Sequence, residues 1–196
     1  MTASATDPIP TGVDELTPAW FSRVLARDPG RSRVTAVSTE ALGGQVGFMG
    51  SLWRCRLSWD PAGAGPASVV VKLPGPPGPN RSLGESLRVF EREIAVYRDL
   101  AADWGLPTPA FLHGAHDPGP PPGVDRAIEW VFDHLPLTGV QVVLGALLAV
   151  SGRVTRRSVL VIADVPDARP PAQLAGGTLD DVAAGLEVLA RFHAAN

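Results

Sequence analysis

The spacing of apolar positions changes period several times along the chain, and each change predicts an element. Residues 1–15 are polar and punctuated by proline. Thr17-Pro18 then supplies a helix cap with proline at the first helical position, ahead of Ala19-Trp20-Phe21-Ser22-Arg23-Val24-Leu25. Asp28-Pro29-Gly30 stops that helix. From Val34 the pattern is that of strands, over residues 34–42, 51–59 and 67–73. A glycine-rich turn joins the first two and Pro61-Ala62-Gly63-Ala64-Gly65-Pro66 joins the second and third, so three consecutive antiparallel strands are expected. Leu87, Phe90, Ile94, Tyr97, Ala101 and Trp104 recur at helical spacing and predict one long helix over 82–104, stopped by Gly105-Leu106-Pro107.

Beyond it, residues 110–113 read as a short fourth strand and 117–123 as a Pro/Gly loop. Residues 124–157 read as an insertion of two short helices joined near 136–139. The continuous apolar run over 158–165, ending at Asp164, is the pattern of a strand buried on both faces. After a Pro-rich link over 166–171, Thr178 caps a last helix, with Asp180 and Asp181 in its first turn where the helix dipole favours acids.

Composition narrows the class. A chain of 196 residues holds one domain with a real core, and 45% apolar against 19% charged residues excludes a polyelectrolyte. Seventeen basic and twenty acidic residues give a net charge of −3, without the footprint of a nucleic-acid binder. Cys55 is the one cysteine, so no internal disulfide or multi-cysteine zinc site is available. The first residues lack a secretory pattern and the apolar stretch over 140–150 is too short to span a bilayer, so a cytoplasmic protein with no membrane partner is expected.

Sixteen of the seventeen cations are arginine, and Lys72 is the one lysine. Strand alternation sets Val70 and Lys72 on one face and Val69, Val71 and Leu73 on the other. Taken alone, this lysine fits a side chain snorkelling from a sheet edge as well as one that holds an anion. Two features bear on the choice. Gly43-Gly44-Gln45-Val46-Gly47-Phe48-Met49-Gly50 falls between the first two strands, where backbone N–H groups can approach phosphate, although its spacing is that of neither a Walker loop nor a clean dinucleotide fingerprint. On the long helix, Glu93 lies roughly 55° from the centre of the apolar stripe and Glu91 roughly 105°, so Glu93 is the carboxylate that faces inward, toward a cation such as Lys72.

In this order, a glycine loop between two strands, a lysine on the third, a glutamate on the next helix and later an apolar strand running into a proline-containing connector, the chain resembles the small-molecule kinases of the aminoglycoside phosphotransferase and choline kinase group, most of all their ecdysteroid-kinase-like bacterial members. The resemblance rests on Leu42-Gly43-Gly44-Gln45-Val46-Gly47-Phe48-Met49, Val70-Val71-Lys72-Leu73, Phe90-Glu91-Arg92-Glu93-Ile94-Ala95-Val96-Tyr97, Leu106-Pro107-Thr108-Pro109, Leu160-Val161-Ile162-Ala163-Asp164-Val165 and Leu189-Ala190-Arg191-Phe192-His193-Ala194. It implies an α+β fold like a kinase amino-terminal lobe, a five-stranded antiparallel sheet with one long helix. The implied divisions are an N-terminal segment and helix over 1–30, the lobe over 31–165, and a hinge with the first helix of an absent large lobe over 166–196.

It further implies that Lys72 contacts the α- and β-phosphates of ATP and that Glu93 steadies it. Gly44, Gln45, Gly47 and Phe48 belong to the loop that covers the phosphates. Ile162 lines the adenine pocket, with the backbone of Ala163 and Val165 offering an acceptor and a donor to the adenine edge. The family's His-x-Asp-x-x-x-x-Asn segment and its later metal-binding aspartate do not occur. Ligands for the Mg²⁺ that accompanies ATP are therefore not supplied here, and the chain alone is expected not to catalyse γ-phosphoryl transfer to a hydroxyl. A non-catalytic nucleotide- or partner-binding module, or a truncated product, are the alternatives. His113-Gly114-Ala115-His116-Asp117 precedes the hinge and enters a Pro-rich loop, which sets it aside as a catalytic segment.

Four further readings complete the picture. Leu179, Val182, Leu186, Leu189 and His193 form one seam of the last helix, which predicts exposed apolar surface and self-association, or docking of a separately encoded second lobe. Arg153, Arg156 and Arg157 follow the apolar stretch over 140–150 and read as the solvated end of a packed helix, with a membrane-surface or partner-binding element as the alternative. Cys55 reads as a small core residue. The five tryptophans, Trp20, Trp53, Trp59, Trp104 and Trp130, read as packing anchors.

Overall fold

A computed structural model describes residues 9–28, 30–42, 50–118, 122–151, 156–168 and 176–195. The described residues form an α+β arrangement of five antiparallel strands and six α-helices. Strands β1 (Arg33–Leu42), β2 (Gly50–Asp60), β3 (Ser68–Pro74), β4 (Phe111–His116) and β5 (Ser158–Ala163) form one sheet in the order β1-β2-β3-β5-β4. Every neighbouring pair is antiparallel, and bulges interrupt the register between Val34 and Ala36 and between Phe111 and His113.

Alternation decides the two faces. On β3, Val69, Val71 and Leu73 are buried and Val70 and Lys72 are half-buried, as the period-two pattern predicts. Val71 stands opposite Val161 of β5, and both are fully buried at the centre of the core. On β5 the whole run Ser158–Val161 is buried, because both faces of this interior strand are covered. Each fully buried aliphatic side chain contributes about 1.5–3 kcal/mol by leaving water.

One face is covered by helix α1 (Pro18–Leu25), which begins where the Thr17 hydroxyl accepts from the Trp20 N–H at 3.2 Å with Pro18 in the first turn. Trp20 and Phe21 sink into the cluster formed by Val34, Cys55, Leu57, Trp59, Val69, Val71, Val159 and Val161. The Val34 N–H donates to Ser22 Oγ at 2.8 Å, which ties α1 to β1. At the far edge the Trp20 ring meets His113 of β4 edge-on at 5.9 Å. Cys55 is a core residue, and burial pushes its thiol up to about 12.

The expected single helix over 82–104 is two helices, α2 (Pro79–Ser86) and α3 (Val89–Asp99). The break falls at Arg88, which adopts the left-handed conformation with φ 54° and ψ 32°. That conformation costs a non-glycine residue about 1–2 kcal/mol. Two sets of bonds support it: the Arg88 guanidinium pairs with Glu91 one turn into α3, with Nε at 2.7 Å from Oε2, and the Arg92 N–H donates to the Arg88 carbonyl at 2.9 Å. The turn lets α2 bury Ser82, Gly84 and Glu85 while α3 buries Phe90 and Ile94. Residues 100–104 leave the helix, ahead of Gly105 at φ +70°.

The insertion between β4 and β5 holds α4 (Pro122–His134) and α5 (Leu137–Ser151), and α5 packs on α2. The last helix, α6 (Leu179–Ala195), is capped by Thr178, whose hydroxyl accepts from the Asp181 N–H at 3.1 Å while the Thr178 N–H donates to the Asp181 carboxylate at 2.9 Å. It touches the rest of the molecule where the Phe192 ring meets Trp104 edge-on at 6.4 Å. Trp20 and Trp59 are the buried anchors expected, whereas Trp130 is 55% exposed and stacks on His134 at 5.1 Å, one helical turn away. No helix among the described residues is long and apolar enough to cross a membrane.

Candidate functional site

The face of the sheet opposite α1 carries the chemistry. Cross-strand pairing sets Leu52, Lys72 and Leu160 in one row and Arg54, Val70 and Ile162 in the next, all on this face. Helix α3 lies over its β4–β5 side, because Gly114 leaves room for Ile94; a Cβ at residue 114 would meet Ile94 Cγ2 at 2.7 Å. The β2–β3 side is more open, with Leu52 exposed and Val70 and Ile162 half-buried.

Lys72 projects from β3 toward α3 and meets Glu93, with Nζ 2.7 Å from both carboxylate oxygens and each side chain 28% exposed. The helical geometry that turned Glu93 inward and the strand alternation that set Lys72 on the same side thus converge on one contact. Tyr97, one turn along α3, has its hydroxyl pKa raised, first by burial and then by the Glu93 charge.

A second charged group stands at the exit of β5. Arg54 Nε donates to Asp164 Oδ2 at 2.8 Å, and Ser68 Oγ donates to the same oxygen at 2.8 Å. The Asp164 side chain is 3% exposed. Burial works to raise its carboxyl pKa, but the bonds from Ser68 and Arg54, the Arg54 charge and the Val165 N–H bring it below the usual carboxylate range. The sequence pattern set Asp164 at the end of the strand over 158–165 and gave it no partner. The signal for one was the alternation of β2, which sets Leu52, Arg54 and Arg56 on this face and Trp53, Cys55 and Leu57 on the other.

A third cluster lies where β4 ends, β5 begins and α2 meets α3, in a cleft of about 310 Å³ lined by charged residues of both signs. Glu85, 5% exposed, accepts from Arg81 Nε at 2.7 Å and from the Arg156 N–H at 3.2 Å. Arg81 also donates to the carbonyls of Gly75 at 3.0 Å and Arg156 at 2.8 Å. Asp117 and Arg157 close the base of the insertion through a two-pronged pair of 2.8 and 3.0 Å, and the guanidinium bonds hold the Asp117 carboxyl below its usual range. Arg156 and Arg157 are therefore not the solvated helix end expected of them, but the clasp that joins the insertion to the sheet and to α2. Arg153 lies outside the described residues.

Of the residues singled out from sequence, Lys72 and Glu93 are brought together, and Ile162 shares their face one row away. Ala163 ends β5 with its N–H donating to the Ala110 carbonyl at 2.8 Å, which leaves its carbonyl as the group to consider. Val165 is exposed, and its carbonyl accepts from the Ala168 N–H at 3.0 Å. Gly44, Gln45, Gly47 and Phe48 lie outside the described residues. Among the described residues no group of three or more His, Cys, Asp or Glu side chains is gathered as a metal site requires.

Comparison with known proteins supplies no relative: no protein-family model, no curated protein and no solved structure matches this chain.

Proposed function

We propose that the chain binds ATP on the open face of its sheet, as the nucleotide-holding lobe of a small-molecule phosphotransferase of the kinase-like kind. The observation that carries this reading is the Lys72–Glu93 contact: the one lysine of the chain, on the third strand of an antiparallel sheet, held at 2.7 Å by a helical glutamate. One carboxylate with both oxygens on the ammonium fixes where the Nζ points while leaving one N–H direction for an incoming oxygen. Two further features support it. The connection between β1 and β2 is the glycine-rich segment over 43–49, and the rows Leu52-Lys72 and Val70-Ile162 offer apolar surface beside the lysine for a base.

Within these 196 residues no His-x-Asp-x-x-x-x-Asn segment orients an acceptor hydroxyl or holds Mg²⁺. The proposed role is therefore to grip the nucleotide, with no transfer by this chain alone. Isothermal titration with Mg-ATP tests it. Wild type is expected to bind, and Lys72→Ala to bind about 10–100-fold more weakly, the loss appropriate to one charge-assisted hydrogen bond of about 1.5–3 kcal/mol. Equal affinity in the two proteins, or no binding by wild type, refutes the reading.

A further inference from the structure

We propose that the cleft where β4 ends, β5 begins and α2 meets α3 binds a phosphate group, carried by the free ion or by a small phosphomonoester. Its floor is the end of the sheet. Alternation on β5 sends Val159 and Val161 into the core under α1 and turns Ser158, like Leu160 and Ile162, to the face that α3 covers. Ser158 stands opposite His116 of β4, and both line the cleft. Ser158 is 6% exposed, yet its hydroxyl has no hydrogen-bond partner among the described residues. A side-chain hydroxyl buried to that extent is ordinarily bonded, so this one marks where an atom from outside the chain completes the site.

The charge around the cleft selects the ligand. Each carboxylate of its lining already holds an arginine: Glu85 has Arg81, Glu91 has Arg88 and Asp117 has Arg157. Arg156 is the cation left over. Its backbone is fixed, with the N–H donating to Glu85 and the carbonyl accepting from Arg81, while its side chain lines the cleft with no carboxylate partner among the described residues. The surplus reaches Glu91, whose carboxyl is held below its usual range first by the Arg88 bond and then, against burial, by the charges of His116, Arg88 and Arg156. The roof is the first turn of α3, which begins at Arg88 without a side-chain cap, so its N–H groups add positive potential. Donors therefore come from three directions: the Ser158 hydroxyl from the sheet, the Arg156 guanidinium from the connector before β5, and the N–H groups at the start of α3. That arrangement suits the divergent oxygens of a tetrahedral phosphate better than a planar carboxylate. At about 310 Å³ the cleft is at the small end of ligand pockets, with room for a phosphate and a short organic group beside Phe90. None of these residues is among those proposed to hold ATP, so the site stands apart from the nucleotide reading.

Titration of the isotope-labelled full chain with inorganic phosphate, followed by amide NMR at an ionic strength held constant with chloride, tests the proposal. The amide signals of residues 89–91 and 156–158 are expected to move and saturate, and those of residues 71–73, around Lys72, to stay. Arg156→Gln keeps the backbone bonds to Glu85 and Arg81 and is expected to weaken phosphate binding about 10–100-fold, and Ser158→Ala to weaken it about 2–10-fold, with the far-UV circular dichroism of each variant matching that of wild type. Acetate is expected to bind more weakly than phosphate. Phenyl phosphate separates the two sources of the group: tighter binding than inorganic phosphate assigns the site to a monoester, equal or weaker binding assigns it to the free ion, and both support a phosphate site. No saturable shift with either probe, shifts confined to residues 71–73, acetate binding as tightly as phosphate, or affinity unchanged in both variants overturns it. The titration contains no nucleotide, so a failure of Mg-ATP to bind leaves this inference standing, and its own failure leaves the nucleotide reading standing.

Discussion

Two ion pairs with the same 2.7 Å separation are predicted to differ sharply in what they contribute to stability. Lys72–Glu93 is 28% exposed on each side, whereas Arg81–Glu85 is 12% and 5% exposed. Lys72→Met keeps the length and packing of the stem and removes the ammonium. The Glu93 carboxylate it leaves behind is reached by water, so the cost is that of a largely solvated pair, about 1 kcal/mol or less. Glu85→Gln keeps the shape of the side chain and removes a buried charge, leaving a buried guanidinium without its counter-ion. Breaking such a pair costs about 3–5 kcal/mol in full. Here Arg81 retains the carbonyls of Gly75 and Arg156 as acceptors, and the glutamine oxygen still accepts, so about 2–3 kcal/mol is the expected loss.

For a chain of this size about 1 kcal/mol moves the unfolding midpoint by about 2–4 °C. Lys72→Met is thus expected to melt within about 4 °C of wild type and Glu85→Gln about 5–10 °C below it, read by calorimetry and circular dichroism at pH 7. Equal losses, or a larger loss for Lys72→Met, refute the reasoning that burial and not distance sets the energy. A large loss at Lys72 also changes the meaning of the binding experiment, since weaker nucleotide affinity then follows from damage to the fold.

Two other outcomes follow from the packing and the charges. Gly114→Ala drives a Cβ to 2.7 Å from Ile94 Cγ2 and 3.0 Å from Phe111 Cε2, and with Ile94 buried the clash is expected to cost about 1–3 kcal/mol in urea unfolding, whereas Gly145→Ala, in α5 with open space around it, is expected to be neutral or stabilising by up to about 1 kcal/mol; similar effects at the two sites refute the placement of α3 on β4. Asp164, whose folded pKa is depressed, contributes stability that is present above the unfolded value of about 3.9 and is lost as pH falls through the lower folded value. Arg54→Met leaves burial opposed by Ser68 and the Val165 N–H alone, so its acid unfolding is expected to begin at higher pH than that of wild type; an unshifted acid transition refutes the pairing.

The strands were the most legible part of the fold, since their period-two alternation is a local property. Lys72 and Val70 against Val69, Val71 and Leu73 could be assigned to faces without knowing what covered either one. Lys72 and Glu93 were legible as a pair for the same reason: each orientation follows from the period of its own element. The break at Arg88 was not legible. Neither proline nor glycine stands there, and the left-handed residue is held by the Glu91 bond together with the burial of Glu85 on one side and Ile94 on the other. Arg81 and Glu85 had the four-residue spacing of a helical pair, but their burial depends on the Arg156 backbone, 71 residues beyond Glu85. Arg54 and Asp164 are 110 residues apart, and no local pattern joins them.

These energies bear on how the candidate site is held. A pair contributing about 1 kcal/mol cannot fix an eleven-residue helix against the sheet. What fixes α3 is Ile94 seated over Gly114, Phe90 buried beside it, and the turn at Arg88 anchored through α2, whose Glu85 is clasped by Arg81 and the Arg156 backbone at the foot of the insertion. Lys72 and Glu93 meet because packing elsewhere delivers them, so their contact is a consequence of the fold and not its cause. That is the arrangement a ligand site needs: the ammonium can exchange part of its carboxylate contact for an incoming phosphate oxygen at a cost of about 1 kcal/mol or less, with the helix that orients it unmoved. Had the pair been the element that held α3 in place, binding an anion would have loosened the very geometry that binds it.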